Sequence, residues 1–310
     1  KDSKNSKILN ITNVNSDIFM DFSKNVNIEL KDLKTTIKYD KFLTINVNDI
    51  SKIYNYSDIL KQNSINSGNI SLKIINKDNI EFNGFFSGFT IPIKKDNKDL
   101  KELDILGKYK NDILDINSKK DDIFLRVRDN QTTIKLDGYD IFYDTKYNDI
   151  HEKIGNLGII GTKSNIVINN KNKILADFYE LNINKDRKFF YLEFEDSKIS
   201  FTNKNNNIDI YAAKINEKFI NTFANSNILD GGKIDFFANG TTKSIKGKLI
   251  IEDSSLKNVT ILNNIMFLVE SSPAFINPLL AIPAVFGLNK LGIYKIKEGV
   301  VEFEYDNDKN

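Results

Sequence analysis

The feature that most constrains this chain is strict alternation of apolar and polar residues. "NVNIEL" (25–30) sets Val26, Ile28 and Leu30 against Asn and Glu, and "NISLKI" (69–74) does the same with Ile70, Leu72 and Ile74. "FYLEFE" (190–195) opposes Phe190, Leu192 and Phe194 to Tyr191, Glu193 and Glu195; "SKISFT" (197–202) and "NIDIYA" (207–212) continue the pattern. Successive side chains of a strand point to opposite faces, so a period of two marks strands with one apolar and one solvated face. Between the runs lie clusters such as "INKDNI", "INNKNKI" and "TNKNNNI". Asn and Asp tolerate left-handed conformations and hydrogen-bond the local backbone, so these clusters predict hairpin turns. The expected fold is mainly β: a long curved antiparallel sheet of roughly a dozen or more strands, which twists and curls at that size and forms an apolar trough.

Helical signals interrupt the alternation in three places. The first is about 50–64, with Asp49 or Ser51 as caps and a stop at Gly68. The second is 216–226, where Asn216 is the candidate cap and Phe219, Ile220 and Phe223 form an apolar stripe. The third falls within 261–289, from "ILNNIMFLVESS" onward. No Pro/Ser linker divides the chain. It reads as a β-meander body over 1–215 with one short helix, continuous with a region over 216–310 that holds a helix, strands and an apolar helical segment. Three stretches, "KDNIEFNGFFSGFTIPI", "QTTIKLDGYDIFYD" and "KNKILADFYELNI", each run turn, short strand, small residue, short strand. That is either a divergent β-repeat or what hairpins look like in this composition.

Reactive chemistry is sparse. Lys and Arg number 44 against 42 Asp and Glu, for a net charge of +2 with the signs interspersed, which argues against a nucleic-acid partner and its concentrated basic face. Cysteine is absent, and His151 in "YNDIHEKIGN" is the single histidine, so a zinc site lacks ligands and His151 reads as a loop residue. "GNLGIIG" (155–161) has the wrong spacing for a dinucleotide loop and no βαβ unit around it, and "NGTTKS" (239–244) lacks the phosphate-loop spacing. "SKKDDI" (118–123) reads as a turn rather than a cation site. The expectation is no enzyme, no catalytic residue, no cofactor and no metal.

One segment departs from the rest. From Ala274 to Leu288 nearly every residue is apolar, with Pro278 and Pro283 inside the run. It falls short of the about 20 apolar residues that a membrane-crossing helix needs, and its prolines kink or break a helix. The start, "KDSKNSKIL", lacks the apolar core of a signal peptide, and the abrupt ends read as those of a piece of a longer protein.

Over 216–305 the order of features is a short helix, "GGKIDF", "KGKLIIEDSSLKN", the apolar stretch and a final "IYKIKEGVVEFEY". This resembles the C-terminal part of the AsmA-like family, the YhdP/TamB-type proteins of Gram-negative envelopes, and 45–74 fits the upstream part of such proteins. The resemblance implies a long curved sheet whose apolar trough moves phospholipid between inner and outer membranes. It also implies a periplasmic location, with a tether to the inner membrane supplied by a segment outside this chain. The expected partner is phospholipid or another acyl lipid, with a membrane surface as a second and other envelope proteins unidentified. Phe190, Leu192, Phe194, Ile199, Phe201, Ile208 and Ile210 are the expected trough lining. Phe275, Ile276, Leu279, Leu280, Ile282, Val285 and Phe286 are the expected trough cover or membrane contact. The competing reading is a structural or adhesive β-solenoid or sandwich with a dry core.

Overall fold

The structure is a computed structural model and describes residues 18–21, 26–62, 64–89, 91–144, 156–241, 243–256 and 294–306. The chain is mainly β, with one large mixed sheet and a small five-stranded one. Among the described residues no helix is long and apolar enough to cross a membrane. Two compact units divide it: the chain up to Ile91 with Leu100–Asp129, and Pro92–Asp99 with the chain from Asn130 on. The sequence-expected boundary at 215/216 lies inside the second unit.

The first unit is an antiparallel meander. β1 (Ile18–Asp21), β2 (Val26–Leu30), β3 (Thr35–Tyr39), β4 (Leu43–Val47), β5 (Ser67–Asn76) and β6 (Asn79–Ser87) pair in that order. The chain then leaves for β7 (Ile93–Lys95) and β8 (Lys98–Asp99). It returns as β9 (Glu102–Lys110), which pairs with β6, and continues through β10 (Ile113–Ser118) and β11 (Ile123–Arg128). Asn111 and Asp112, the two residues between β9 and β10, both have positive φ, at 50° and 62°. That is the turn whose twist matches a hairpin, and Asn and Asp are among the residues that adopt it cheaply. Where a helix was expected at 50–64, the chain makes two 3-10 turns, Ile50–Lys52 and Tyr54–Tyr56, and the five-residue α1 (Asp58–Gln62). Asp49 caps the first, accepting from the Ser51 amide at 3.1 Å. On the polar face Lys73, Glu81, Lys108, Asp115 and Arg126 stand side by side on successive strands, so the charge alternates across the sheet.

In the second unit the large-sheet strands are β12 (Gln131–Asp137), β14 (Asn156–Thr162), β17 (Phe178–Ile183), β18 (Arg187–Phe194), β19 (Ser197–Lys204), β20 (Asn207–Asn216), β22 (Lys233–Thr241), β23 (Ser244–Leu256) and β24 (Tyr294–Asp306), each pairing with the next. The short β21 (Leu229–Asp230) adds to β23. β13 (Asp140–Tyr143), β15 (Ile166–Ile168) and β16 (Asn172–Ile174) join β7 and β8 in the small sheet. β12 and β14 run parallel, as do β13 and β15, so the expected purely antiparallel sheet is mixed. Parallel neighbours need a crossover, and the excursion through β13 provides it.

The small residues of the repeat-like stretches sit at corners where the chain switches sheets. Gly138, with φ of 74°, lies between β12 and β13, and Ala176 lies between β16 and β17. Asp140 braces the corner: its Oδ1 accepts from the Asn165 amide at 3.0 Å and from Asn165 Nδ2 at 2.7 Å, while Lys173 Nζ lies 3.3 Å from its Oδ2.

α2 (Glu217–Ala224) follows β20. Asn216 caps it as expected, its Oδ1 accepting from the Phe219 amide at 2.9 Å, and Asn225 ends it in the left-handed conformation at φ of 49°. Phe219, Ile220 and Phe223 are buried against the sheet in one cluster with Leu192, Phe194, Ile234, Leu249 and Ile251. Asn172 Nδ2 donates to the Phe223 carbonyl at 2.9 Å and fixes the helix end to β16.

Candidate functional site

Strand register shows what each face presents. In the first unit Ile28, Ile37, Ile45, Leu72, Phe82, Gly107, Ile116 and Leu125 are paired in turn from β2 to β11. A second row two residues along reads Val26, Tyr39, Leu43, Ile74, Ile80, Tyr109, Leu114 and Val127. At about 4.8 Å per strand, seven steps carry each row about 34 Å, comparable to the roughly 30 Å hydrocarbon core of a bilayer. No polar side chain other than the two tyrosines interrupts them.

These rows are not sealed. Except for Tyr39, which is 55% exposed, their residues are half-buried. Among the described residues, the buried apolar side chains of this unit are Leu33, Val47, Ile50, Phe89 and Ile105, none of them in the two rows. Both clusters of buried hydrophobic residues found among the described residues lie in the second unit. A Cβ at Gly107 would stand 2.0 Å from the Phe82 ring, so the ring lies flat over the glycine of the neighbouring strand. The same device recurs in the second unit, where a Cβ at Gly161 would stand 2.1 Å from the Tyr179 ring.

The seven lining residues expected from sequence share one face of the second unit. Phe190, Phe201 and Ile210 are in register, Leu192 pairs with Ile199, and Ile208 and Phe194 lie two residues further out on either side. Their surroundings divide them. Leu192 is 0% exposed and Phe194 is buried with its ring 6.2 Å from that of Phe219, both under α2. Ile208, 1% exposed, and Phe201 are buried with Ala238 and Ile245 in a second cluster. Phe190, Ile199 and Ile210 are half-buried. Lys188 lies in register with Asn203 on this same face, and burial holds its ammonium below the usual lysine pKa. Tyr179 is buried with no hydrogen-bond partner for its hydroxyl, and burial pushes its pKa up, helped by the Asp140 charge.

The remaining sequence candidates resolve into structure or fall outside it. "SKKDDI" is a hairpin turn: Ser118 Oγ accepts from the Asp122 and Ile123 amides, each at 3.1 Å, and donates to Asp122 Oδ1 at 2.7 Å. All of "GNLGIIG" from Asn156 on lies in strand β14, which runs Asn156–Thr162. His151 and the seven expected cover residues, Phe275 to Phe286, lie outside the described residues. Among the described residues there is no group of three or more His, Cys, Asp or Glu placed to hold a metal ion.

The partly exposed face of the first unit is the site that sequence reasoning missed. The signal was available, since Val26, Ile28, Ile70, Leu72 and Ile74 already read as strands with an apolar side. Comparison of the chain with protein-family models, curated proteins and solved structures finds no match.

Proposed function

We propose that this is a lipid-binding and lipid-transfer protein of the Gram-negative cell envelope, carrying phospholipid acyl chains along an apolar β trough between inner and outer membranes. The observation that carries the reading is the pair of apolar rows crossing β2 to β11, half-buried and not sealed along their length. Each methylene taken out of water is worth about 0.8 kcal/mol, so an acyl tail crossing water unaided faces a barrier on the order of 10 kcal/mol. A continuous apolar floor removes most of that barrier without a reacting side chain. Exposed apolar surface of this extent marks an interaction site more often than an idle surface. The resemblance to AsmA-like proteins supports the same reading, together with the periplasmic location it implies.

On this reading the first unit holds the open floor, and the α2-covered part of the second is a scaffold. A dry structural role has its own support in the complete burial of Leu192, which describes that scaffold better than it describes the first unit. The test is photo-crosslinking in cells with the reactive amino acid at Leu72 and, separately, at Lys73. These adjacent residues of β5 lie on opposite faces. The reading requires lipid adducts at 72 and few at 73. Adducts at neither position, with both variants folded, would return the whole chain to the structural reading.

A further inference from the structure

One margin of the first unit is formed by the turns after β3, β5, β9 and β11, because an antiparallel meander puts every second connection on the same side. Each of these turns has one acidic and one basic residue in it or at the strand end that enters it: Asp40 with Lys41 and Lys77 with Asp78 inside the turns, and Asp112 and Asp129 following Lys110 and Arg128, which close β9 and β11 on the polar face. All eight are exposed. These four turns therefore carry, among the described residues, four charges of each sign and no net charge. The turns recur every second strand, about 10 Å apart. Tyr39 and Tyr109 belong to the row nearer these turns, and the Tyr109 hydroxyl donates to Asp112 Oδ1 at 2.7 Å. A tyrosine presents an apolar ring and a polar tip, the chemistry of a boundary between hydrocarbon and water.

We propose that this margin receives the headgroup of a zwitterionic phospholipid whose acyl chains lie on the floor, and that it does not select anionic lipid. The proposal rests on the acyl-chain reading above. A phosphate and an ammonium a few ångströms apart find both complements within the turn after β3 or the turn after β5. An anionic headgroup finds as many carboxylates as ammonium groups along the margin and gains nothing from the whole. Recognition of anionic lipid needs a cluster of like basic charges, and the margin offers none.

The test offers the full chain equimolar phosphatidylcholine and phosphatidylglycerol with identical acyl chains in mixed vesicles. The protein is then re-isolated and its lipid identified by mass spectrometry of an organic extract. Phosphatidylcholine is expected to match or exceed phosphatidylglycerol, by up to about five-fold, since exposed charge pairs contribute little each. The ratio should barely change with salt. Asp78→Lys with Asp112→Asn and Asp129→Asn makes the margin basic while keeping side chains suited to the left-handed turn positions. This variant should move the extract toward phosphatidylglycerol in a salt-sensitive way. The mirror variant, Lys77→Gln with Lys110→Gln and Arg128→Gln, should move it away. Dominance of phosphatidylglycerol on the unaltered protein, or lipid-loaded variants with unchanged ratios, would overturn the headgroup assignment and leave acyl binding standing. A folded protein that extracts no lipid at all would overturn the acyl-chain reading and this proposal with it.

Discussion

The two units are built by one rule and finished differently. Each lays apolar residues in register across eight or nine strands, Ile28 to Leu125 in one and Leu136 to Val301 in the other. In the second unit α2 closes over part of the face, and Leu192, Ile234, Leu249 and Ile251 become core. In the first unit the corresponding stretch of chain after β4 is two 3-10 turns and one five-residue helix. Of these, Ile50 is buried, while the two central rows stay half-buried. Alternation makes an apolar face; a second amphipathic element decides whether that face is a core or a floor.

Truncating the same residue type in both faces puts the contrast to its strongest test. Leu192→Ala removes a fully buried side chain under α2 and should cost about 2–5 kcal/mol. Leu72→Ala removes a half-buried one and should cost less, about 1 kcal/mol. With two compact units a single unfolding curve is ambiguous, so the readout is hydrogen exchange resolved by segment along a denaturant series. Equal losses at the two sites would mean that the first face is as well packed as the second, and the floor would vanish from the argument.

How much of this was legible beforehand follows from what local pattern encodes. The parity of Phe190, Leu192 and Phe194 is a property of adjacent residues, so their shared face could be read directly. So could the Asn216 cap and the Phe219, Ile220 and Phe223 stripe. That the stripe lands on Leu192 and Phe194 depends on partners tens of residues apart, which periodicity does not carry. The parallel pairing of β12 with β14 was invisible for a related reason, since alternation is the same in either strand direction. The small residues at Gly138 and Ala176 were noticed as a repeat. Their role as corners needed the second sheet. The partly open apolar face of the first unit is not legible locally, because alternation reads the same whether or not a second layer covers the strands. The helix expected at about 50–64 is instead two 3-10 turns and a five-residue helix.

The next contrast concerns how the helix is held. Asn221 Oδ1 accepts from the Ile228 and Leu229 amides at 2.8 and 2.9 Å, and its Nδ2 donates to the Leu229 carbonyl at 2.8 Å. It locks the segment after α2 onto the helix. Asn221→Ala leaves three backbone groups to find other partners and should destabilise the second unit by about 1–3 kcal/mol. The first unit should be unaffected in the same exchange experiment. Protection lost in both units would show that they do not unfold independently.

The smallest effect expected belongs to the polar face of the first unit. Arg126 bridges both oxygens of Asp115 across β10 and β11, Nε to Oδ1 at 2.7 Å and Nη2 to Oδ2 at 2.9 Å. These hydrogen bonds, aided by the guanidinium charge, hold the Asp115 carboxyl below its ordinary pKa of 3.8. A carboxylate whose pKa is lowered by folding contributes stability that is fully present above the unfolded value. That contribution is lost as pH falls through the folded one. Both side chains are substantially exposed, so solvent screens the pair and its worth is at most about 1 kcal/mol. Arg126→Gln should therefore lower the stability of the first unit slightly at neutral pH, and the difference from the unaltered protein should close as pH falls below 3.8. High salt should shrink it at neutral pH as well. A difference that persists undiminished into acid would place the role of Arg126 in the packing of its stem over Phe124, whose ring centroid lies 5.3 Å from the guanidinium carbon, rather than in its charge.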